Sequence, residues 1–75
     1  MIFDYDKLSL RIVEMFGTLV NFANEVRQAP GKVSDKLEGK APMTRDDIIT
    51  WGEALMIEPG AITAYFFTEK EVNAL

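Results

Sequence analysis

Three lysines recur at intervals of four residues in the middle of this 75-residue chain, at Lys32, Lys36 and Lys40. On a helix this spacing places their ammonium groups along one side, where they could neutralise the phosphates of a nucleic acid. A solvated face of mixed charge is the alternative, because acidic residues stand between the lysines. Three further polar residues of this stretch could contact bases or phosphates: Gln28, Ser34 and Asp35.

The charge of the chain is unevenly distributed. Its formal net charge is −4, which is unfavourable for binding nucleic acid. Residues 27–45 nevertheless contain five basic and two acidic residues, a net charge of +3, whereas three basic and ten acidic residues give −7 for the remainder. We therefore expect that DNA would be contacted through the basic segment, while the acidic remainder would restrict it to one docking face.

The composition excludes several kinds of site. The chain has no cysteine and no histidine, which excludes disulfides, structural zinc and a His-based catalytic triad. Ser9 and Ser34 have no histidine to activate them, and the adjacent Asp46 and Asp47 are more typical of a helix start than of a metal site. We expect no catalytic residue, no metal and no cofactor. No apolar run approaches the roughly 18 residues of a membrane span and no signal peptide is visible, so a cytoplasmic protein is expected.

Hydrophobic periodicity predicts five helices and no strand, so the fold is expected to be all-α. Thr18 and Thr44 are the expected N-caps of the second and fourth helices, and Gly17 is the expected C-cap of the first. Residues 68–75 are expected to form a loosely ordered tail of this single domain. The predicted helices are Tyr5–Phe16, Leu19–Val26, Pro30–Glu38, a fourth that begins after Thr44, and Pro59–Tyr65.

Helical spacing also predicts which side chains face the core. In the first helix they are Leu8, Ile12, Met15 and Phe16. In the fourth helix they are Ile48, Trp51, Gly52, Leu55 and Met56. A glycine inside a helix costs about 1 kcal/mol relative to alanine, so we expect Gly52 to let a neighbouring helix approach closely.

The second and third predicted helices are joined by a short turn, Arg27–Gly31. Pro30 suits the first turn of the third helix, because the N–H that it lacks would have no partner there. A helix, a short turn and a second helix form a helix-turn-helix, whose second helix can enter a DNA major groove. The candidate DNA contacts on and around this helix are Gln28, Lys32, Ser34, Asp35, Lys36 and Lys40.

Three consecutive aromatic residues, Tyr65, Phe66 and Phe67, end the fifth predicted helix. Three neighbours in sequence cannot all face one side of a helix. A chain of this length is also near the lower limit for burying a self-sufficient core. We therefore expect this aromatic cluster to contact a partner, in a homodimer or in a heterodimer with another protein, through the fifth helix and its flanks. The alternative is that these aromatic residues belong to the core.

Taken in order, the segments DYDKL, RIVEMFGT, NFA, VSDKLEGK, DII and AITAYFFTEK resemble the small Cro/CI-type helix-turn-helix proteins of phages of Gram-positive bacteria. The resemblance extends from Phe3 to about Glu69, and it implies a five-helix, lambda-repressor-like fold. It also implies transcriptional control of the lysis–lysogeny decision in the bacterial host, by binding double-stranded operator DNA, usually as a dimer. The alternative is a modulator that keeps the helix-turn-helix fold and acts by binding a phage repressor protein.

The chain departs from this family pattern at two turns. Where the family commonly has glycine and an aliphatic residue after the second helix, this chain has Arg27 and Gln28, and Met56 replaces the glycine before Ile57. Because a non-glycine residue at positive φ costs about 1 kcal/mol, both turns are expected to adopt other shapes. Ala29–Gly31 replaces the usual polar residues at the start of the third helix, which disfavours base-specific contacts.

Overall fold

Five α-helices make up the computed structural model, which describes residues 3–69. Between the fourth and fifth helices lies a short 3-10 helix, Pro59–Ala61. Within residues 3–69 there is no strand, and the single β-bridge joins Phe3 to Glu69. No helix in this part of the chain is both long enough and apolar enough to span a membrane. The prediction of an all-α fold with five helices is confirmed. The helices are α1 (Asp6–Phe16), α2 (Leu19–Glu25), α3 (Pro30–Leu37), α4 (Arg45–Ala54) and α5 (Ile62–Phe66).

Side-chain caps fix the starts of α2 and α4. Thr18 Oγ1 accepts a hydrogen bond of 3.1 Å from the Asn21 N–H. At α4 the cap is reciprocal, because the Asp47 N–H donates to Thr44 Oγ1 at 3.1 Å and the Thr44 N–H donates to the Asp47 carboxylate at 3.0 Å. Each such cap stabilises a helix by about 1 kcal/mol. The predicted caps are confirmed at both helices, and Gly17 ends α1 with a φ of 79°.

Three helices end in the same backbone motif. After α2, α3 and α4, one residue adopts positive φ, and the N–H of the next residue bonds back to a carbonyl of the last helical turn. The residues at positive φ are Arg27 (59°), Gly39 (79°) and Met56 (54°). The hydrogen bonds are Gln28 to Ala23 (2.9 Å), Lys40 to Asp35 (2.8 Å) and Ile57 to Gly52 (2.9 Å). The expectation that Arg27 and Met56 force other turn shapes is therefore wrong, since both residues adopt the left-handed conformation.

The core is centred on Trp51 of α4. Its indole meets the ring of Phe22 edge-on, with 5.1 Å between the ring centroids. Burying an aliphatic or aromatic side chain contributes about 1.5–3 kcal/mol, so this cluster is the main contact that holds the helices together. The other buried apolar residues of the cluster are Leu8, Ile12, Ala23, Val26, Val33, Leu55 and Phe66.

The predicted inward faces need two corrections. Met15 is exposed on α1, and Met56 is 74% exposed. Met56 has already left the helix, because it occupies the left-handed position after α4, and its side chain therefore turns away from the core. Gly52 behaves as predicted. A Cβ at this position would lie 3.1 Å from Ile62 Cδ1, so the missing side chain allows α5 to pack closely against α4.

The two ends of the described chain lie side by side. The Asp4 N–H donates to the Thr68 carbonyl at 2.7 Å, and the ring of Phe3 meets that of Phe67 edge-on with 5.8 Å between centroids. Thr68 and Glu69, the first residues of the predicted tail, are therefore held by main-chain contacts. Residues 70–75 of that predicted tail lie outside the described residues.

Candidate functional site

Gln28, Lys36 and Asp47 form a closed hydrogen-bonded cluster where the α2–α3 turn, α3 and α4 meet. Lys36 Nζ lies 2.7 Å from Asp47 Oδ2 and donates to Gln28 Oε1 at 3.1 Å. Gln28 Nε2 in turn donates to Asp47 Oδ1 at 2.8 Å. Each of the three side chains thus binds the other two. We call this cluster the polar junction.

The polar junction is internal. Lys36 and Asp47 are only 7% and 5% exposed, and Gln28 is half-buried. Taking an ammonium group out of water is costly unless an opposite charge and hydrogen bonds meet it directly, and the carboxylate and amide here provide both. The neighbouring Lys32 and Lys40 are exposed. The predicted stripe of three lysines is therefore interrupted at its centre.

Asp47 is both a helix cap and the counter-ion of Lys36. Burial alone would raise the pKa of this carboxyl group, but hydrogen bonds from Lys36, the Thr44 N–H and Gln28 outweigh that effect and lower the pKa to about 2. Asp47 is therefore ionised at neutral pH. The sequence placed Asp47 in the first turn of α4, but it did not reveal the pairing with Lys36.

The structure divides the six candidate DNA contacts into two groups. Gln28 and Lys36 have their polar atoms engaged in the polar junction. Lys36 is therefore not available to a phosphate in this fold, which corrects its predicted role. A role in DNA contact remains a prediction for the four others, which are the exposed Lys32, Asp35 and Lys40 and the half-buried Ser34.

The first turn of α3 presents few polar side chains. Ala29 is the N-cap, and it makes no side-chain hydrogen bond to the helix. Pro30 and Gly31 follow as the first two helical residues. Recognition helices contact base edges from this end, and those contacts require hydrogen-bonding side chains. Ala29–Gly31 at the start of α3 therefore offer no hydrogen-bonding side chain, and Lys32 is the first polar side chain of the helix.

An apolar groove of about 430 Å³ lies between α4 and α5. Ile49 and Phe67 are two large apolar side chains that are exposed in its lining, at 49% and 45%. Contiguous apolar surface of this kind is typical of protein contact sites. Two charged residues, Arg45 and Glu53, also line the groove, and its apolar lining consists of Ile48, Ile49, Gly52, Ile57, Pro59, Ile62 and Phe67.

The three consecutive aromatic residues have different surroundings. Phe66 is buried in the core, so its predicted role as a partner contact is wrong for this fold. Tyr65 is half-buried, with Lys7 Nζ 4.8 Å from its ring centroid. Phe67 is the most exposed of the three and lines the apolar groove. A partner contact remains a prediction for Tyr65 and Phe67.

A cleft of about 480 Å³ separates the N-terminal segment from the end of α3 and the loop that follows it. Three carboxylates, those of Asp4, Asp6 and Glu38, line it beside the rings of Phe3 and Tyr5. Burial raises the pKa of the Tyr5 hydroxyl, so this phenol is neutral at physiological pH. The acidic cleft therefore has negative charges and an apolar wall, a combination suited to a basic side chain.

Comparisons with known proteins identify relatives of this chain. The family described as "Protein of unknown function (DUF739)" matches residues 1–69. The solution structure of the modulator of repression (MOR) of the temperate bacteriophage TP901-1 from Lactococcus lactis is similar, with a TM-score of 0.76 and 36% sequence identity, over 89% of this chain and 90% of that one. No curated protein sequence matches significantly. The chain therefore belongs to the DUF739 family, and it shares its all-helical fold with a small regulatory protein of a temperate phage.

Proposed function

We propose that this protein is a modulator of repression, which binds a phage repressor protein and thereby changes how that repressor occupies operator DNA. The observation that carries the proposal is the likeness to the modulator of repression of phage TP901-1, at 36% identity over 89% of the chain. The protein would act in the cytoplasm of a bacterial host, without a cofactor. It would not be an enzyme.

The polar junction favours a protein partner over DNA. It engages Gln28 and Lys36, two of the six candidate DNA contacts. Each phosphate contact adds to the affinity for DNA by releasing counterions, so a helix whose central lysine is neutralised internally has lost part of that contribution. Base-specific contacts are disfavoured as well, because Ala29–Gly31 at the start of α3 offer no hydrogen-bonding side chain to base edges.

The charge distribution favours a basic partner. A repressor that binds operator DNA presents a basic surface, and this chain has a net charge of −7 outside residues 27–45. Complementary potentials accelerate association and select the correct partner. Two of these carboxylates, those of Asp4 and Asp6, line the acidic cleft beside Phe3 and Tyr5, and Glu38 of the basic segment lines it as well. The cleft is the surface on which we expect basic side chains of the repressor to dock.

Direct binding of double-stranded operator DNA is the second candidate function. The exposed Lys32 and Lys40 favour it, since they lie in the segment with a net charge of +3. If this function holds, Lys32→Ala will weaken binding to every DNA sequence and reduce the slope of log affinity against log salt by about 1. Lys36→Ala will change that slope little, because its ammonium group faces Asp47.

The deciding experiment mixes the purified protein with the repressor encoded in the same phage genome and with the operator DNA of that repressor. We expect isothermal titration calorimetry to show a complex of the two proteins, and gel shifts to show altered operator binding by the repressor. Glu38→Lys in the acidic cleft should weaken the complex about tenfold through like-charge repulsion.

A matched control is Glu25→Lys, which changes an exposed acidic residue at the end of α2 that does not line the cleft. It should leave the affinity for the repressor within about twofold, since isolated surface charges contribute little. Salt-dependent DNA binding by the protein alone, without any complex with the repressor, would refute the modulator function and support the second candidate.

A further inference from the structure

Arg45, Ile49 and Glu53 stand four residues apart on α4, so they form one ridge along the helix. The ridge has a cation at one end, an apolar side chain in the middle and a carboxylate at the other end. All three residues are exposed, and all three line the apolar groove. An antiparallel copy of the same ridge would place an opposite charge against each end. We call Arg45, Ile49 and Glu53 the α4 ridge.

Both charges of the α4 ridge oppose the dipole of their own helix. Arg45 is the first residue of α4, where the dipole favours an acidic side chain, and Glu53 lies in the last turn, where it favours a basic one. Neither residue forms a salt bridge within residues 3–69. The stability of α4 therefore gives no reason for this arrangement. Residues that break a local rule without a compensating contact are candidates for a role outside the fold.

We propose that a second copy of this chain docks on the apolar groove, with the two α4 helices antiparallel about a twofold axis near Ile49. Ile49 lies midway between Arg45 and Glu53, so the axis brings the two Ile49 side chains together. It also pairs each Arg45 with Glu53 of the other copy. Such an interface is self-complementary and closes at two subunits. The exposed part of Phe67 adjoins the same groove and adds apolar surface to the contact.

Sedimentation velocity of the full chain, from about 1 μM to several hundred micromolar, tests this dimer over the range in which weak pairs form. Arg45→Glu or Glu53→Arg alone brings like charges together at both ends of the interface, and each should weaken dimerisation about tenfold. The double variant restores opposite charges and should recover the original affinity. Each substitution suits the dipole of α4, so a loss of dimer cannot be attributed to a destabilised helix.

Ile49→Lys places two cations on the twofold axis and should leave a monomer at every concentration tested. Its matched control is Val20→Lys on α2, because Val20 is 51% exposed, nearly the same as Ile49, and lies outside the groove. The control should dimerise like the unmodified protein. A monomer at several hundred micromolar overturns the proposal. The proposal is also overturned if the single charge reversals leave the dimer affinity unchanged, or if the double variant does not recover it. No repressor is present, so the result is independent of the modulator function.

Discussion

The polar junction and the α4 ridge both include residues of α4, yet charge is arranged in opposite ways at the two places. At the junction, Asp47 is buried and bonded to Lys36 and Gln28. On the ridge, Arg45 lies two residues before Asp47 and Glu53 six residues after it, and both are exposed and unpaired within residues 3–69. In a helix-turn-helix that reads DNA, free cations are expected on the recognition helix instead. The difference shows that the same helix can bury one charge in an internal pair and leave others free to bind a partner.

The largest expected effect comes from breaking the polar junction. Asp47→Asn leaves the buried ammonium group of Lys36 without a counter-ion, and we expect it to lower the free energy of unfolding by about 3 kcal/mol. Urea unfolding, followed by the fluorescence of the single tryptophan, measures this change. The matched control is Asp46→Asn, an exposed acidic residue in the same helical turn, which should cost under about 1 kcal/mol.

A double-mutant cycle shows whether that loss belongs to the charge pair. Lys36→Met combined with Asp47→Asn removes both charges, so no unpaired charge stays buried. We expect the double variant to be more stable than the sum of the two single losses predicts. Strict additivity of the two substitutions would mean that the pair does not act as a unit, and the contrast with the exposed ridge would lose its energetic basis.

Lowering the pH should weaken the same junction, with a smaller loss of unfolding free energy than Asp47→Asn causes. The pKa of Asp47 is about 2 in the folded protein, against an ordinary value of 3.8, so the folded state holds the ionised form more tightly than the unfolded state does. Its contribution is therefore complete above about pH 5 and is lost as the pH falls toward 2, amounting to about 2 kcal/mol. Unfolding free energies of the unmodified protein and of Asp47→Asn should converge over this range. If the two proteins lose stability in parallel as the pH falls, the loss does not come from the ionisation of Asp47.

The smallest effects concern the turns that lead into the two regions. Arg27 precedes Gln28 of the polar junction, and Met56 precedes Ile57 of the groove, each at positive φ. Glycine at either position should stabilise the fold by roughly 0.5 kcal/mol, since relief of left-handed strain exceeds the entropy gained by the unfolded chain. Gly39→Ala is the reverse test. No atom would lie within 4 Å of the new Cβ, so its expected cost of about 1 kcal/mol comes from backbone strain alone.

The helices were predictable because their signals are local. Thr18 and Thr44 cap the helices that the sequence assigned to them, and Gly17 ends α1. A cap depends on residues within one turn of the chain, and hydrophobic periodicity extends over only a few turns. Met56 was misplaced because its spacing from Gly52 fits α4, whereas the helix ends two residues before Met56, at Ala54.

The polar junction was not predictable, because it is a tertiary contact. Lysine at every fourth position indicates one helical side, but the pattern does not tell which side faces outward. One signal was present in the sequence. Lys36 follows Val33 by three residues and precedes Leu37, and both of those apolar residues face inward, so Lys36 borders the buried side of α3. Its partner Asp47 is eleven positions away in another helix, and no local rule joins the two.

The pairing of the two ends of the described chain has a consequence for the order of folding. Phe3 and Glu69 meet across nearly the whole described chain, whereas α2 contacts both of its neighbours in sequence, α1 and α3. Contacts between neighbours in sequence close short loops and form early, while a contact between distant residues requires a long loop to close first. We therefore expect the α1–α3 segment to be structured in the folding transition state and the terminal bridge to form after it. Substitutions at Phe3 should then speed unfolding and leave the folding rate nearly unchanged.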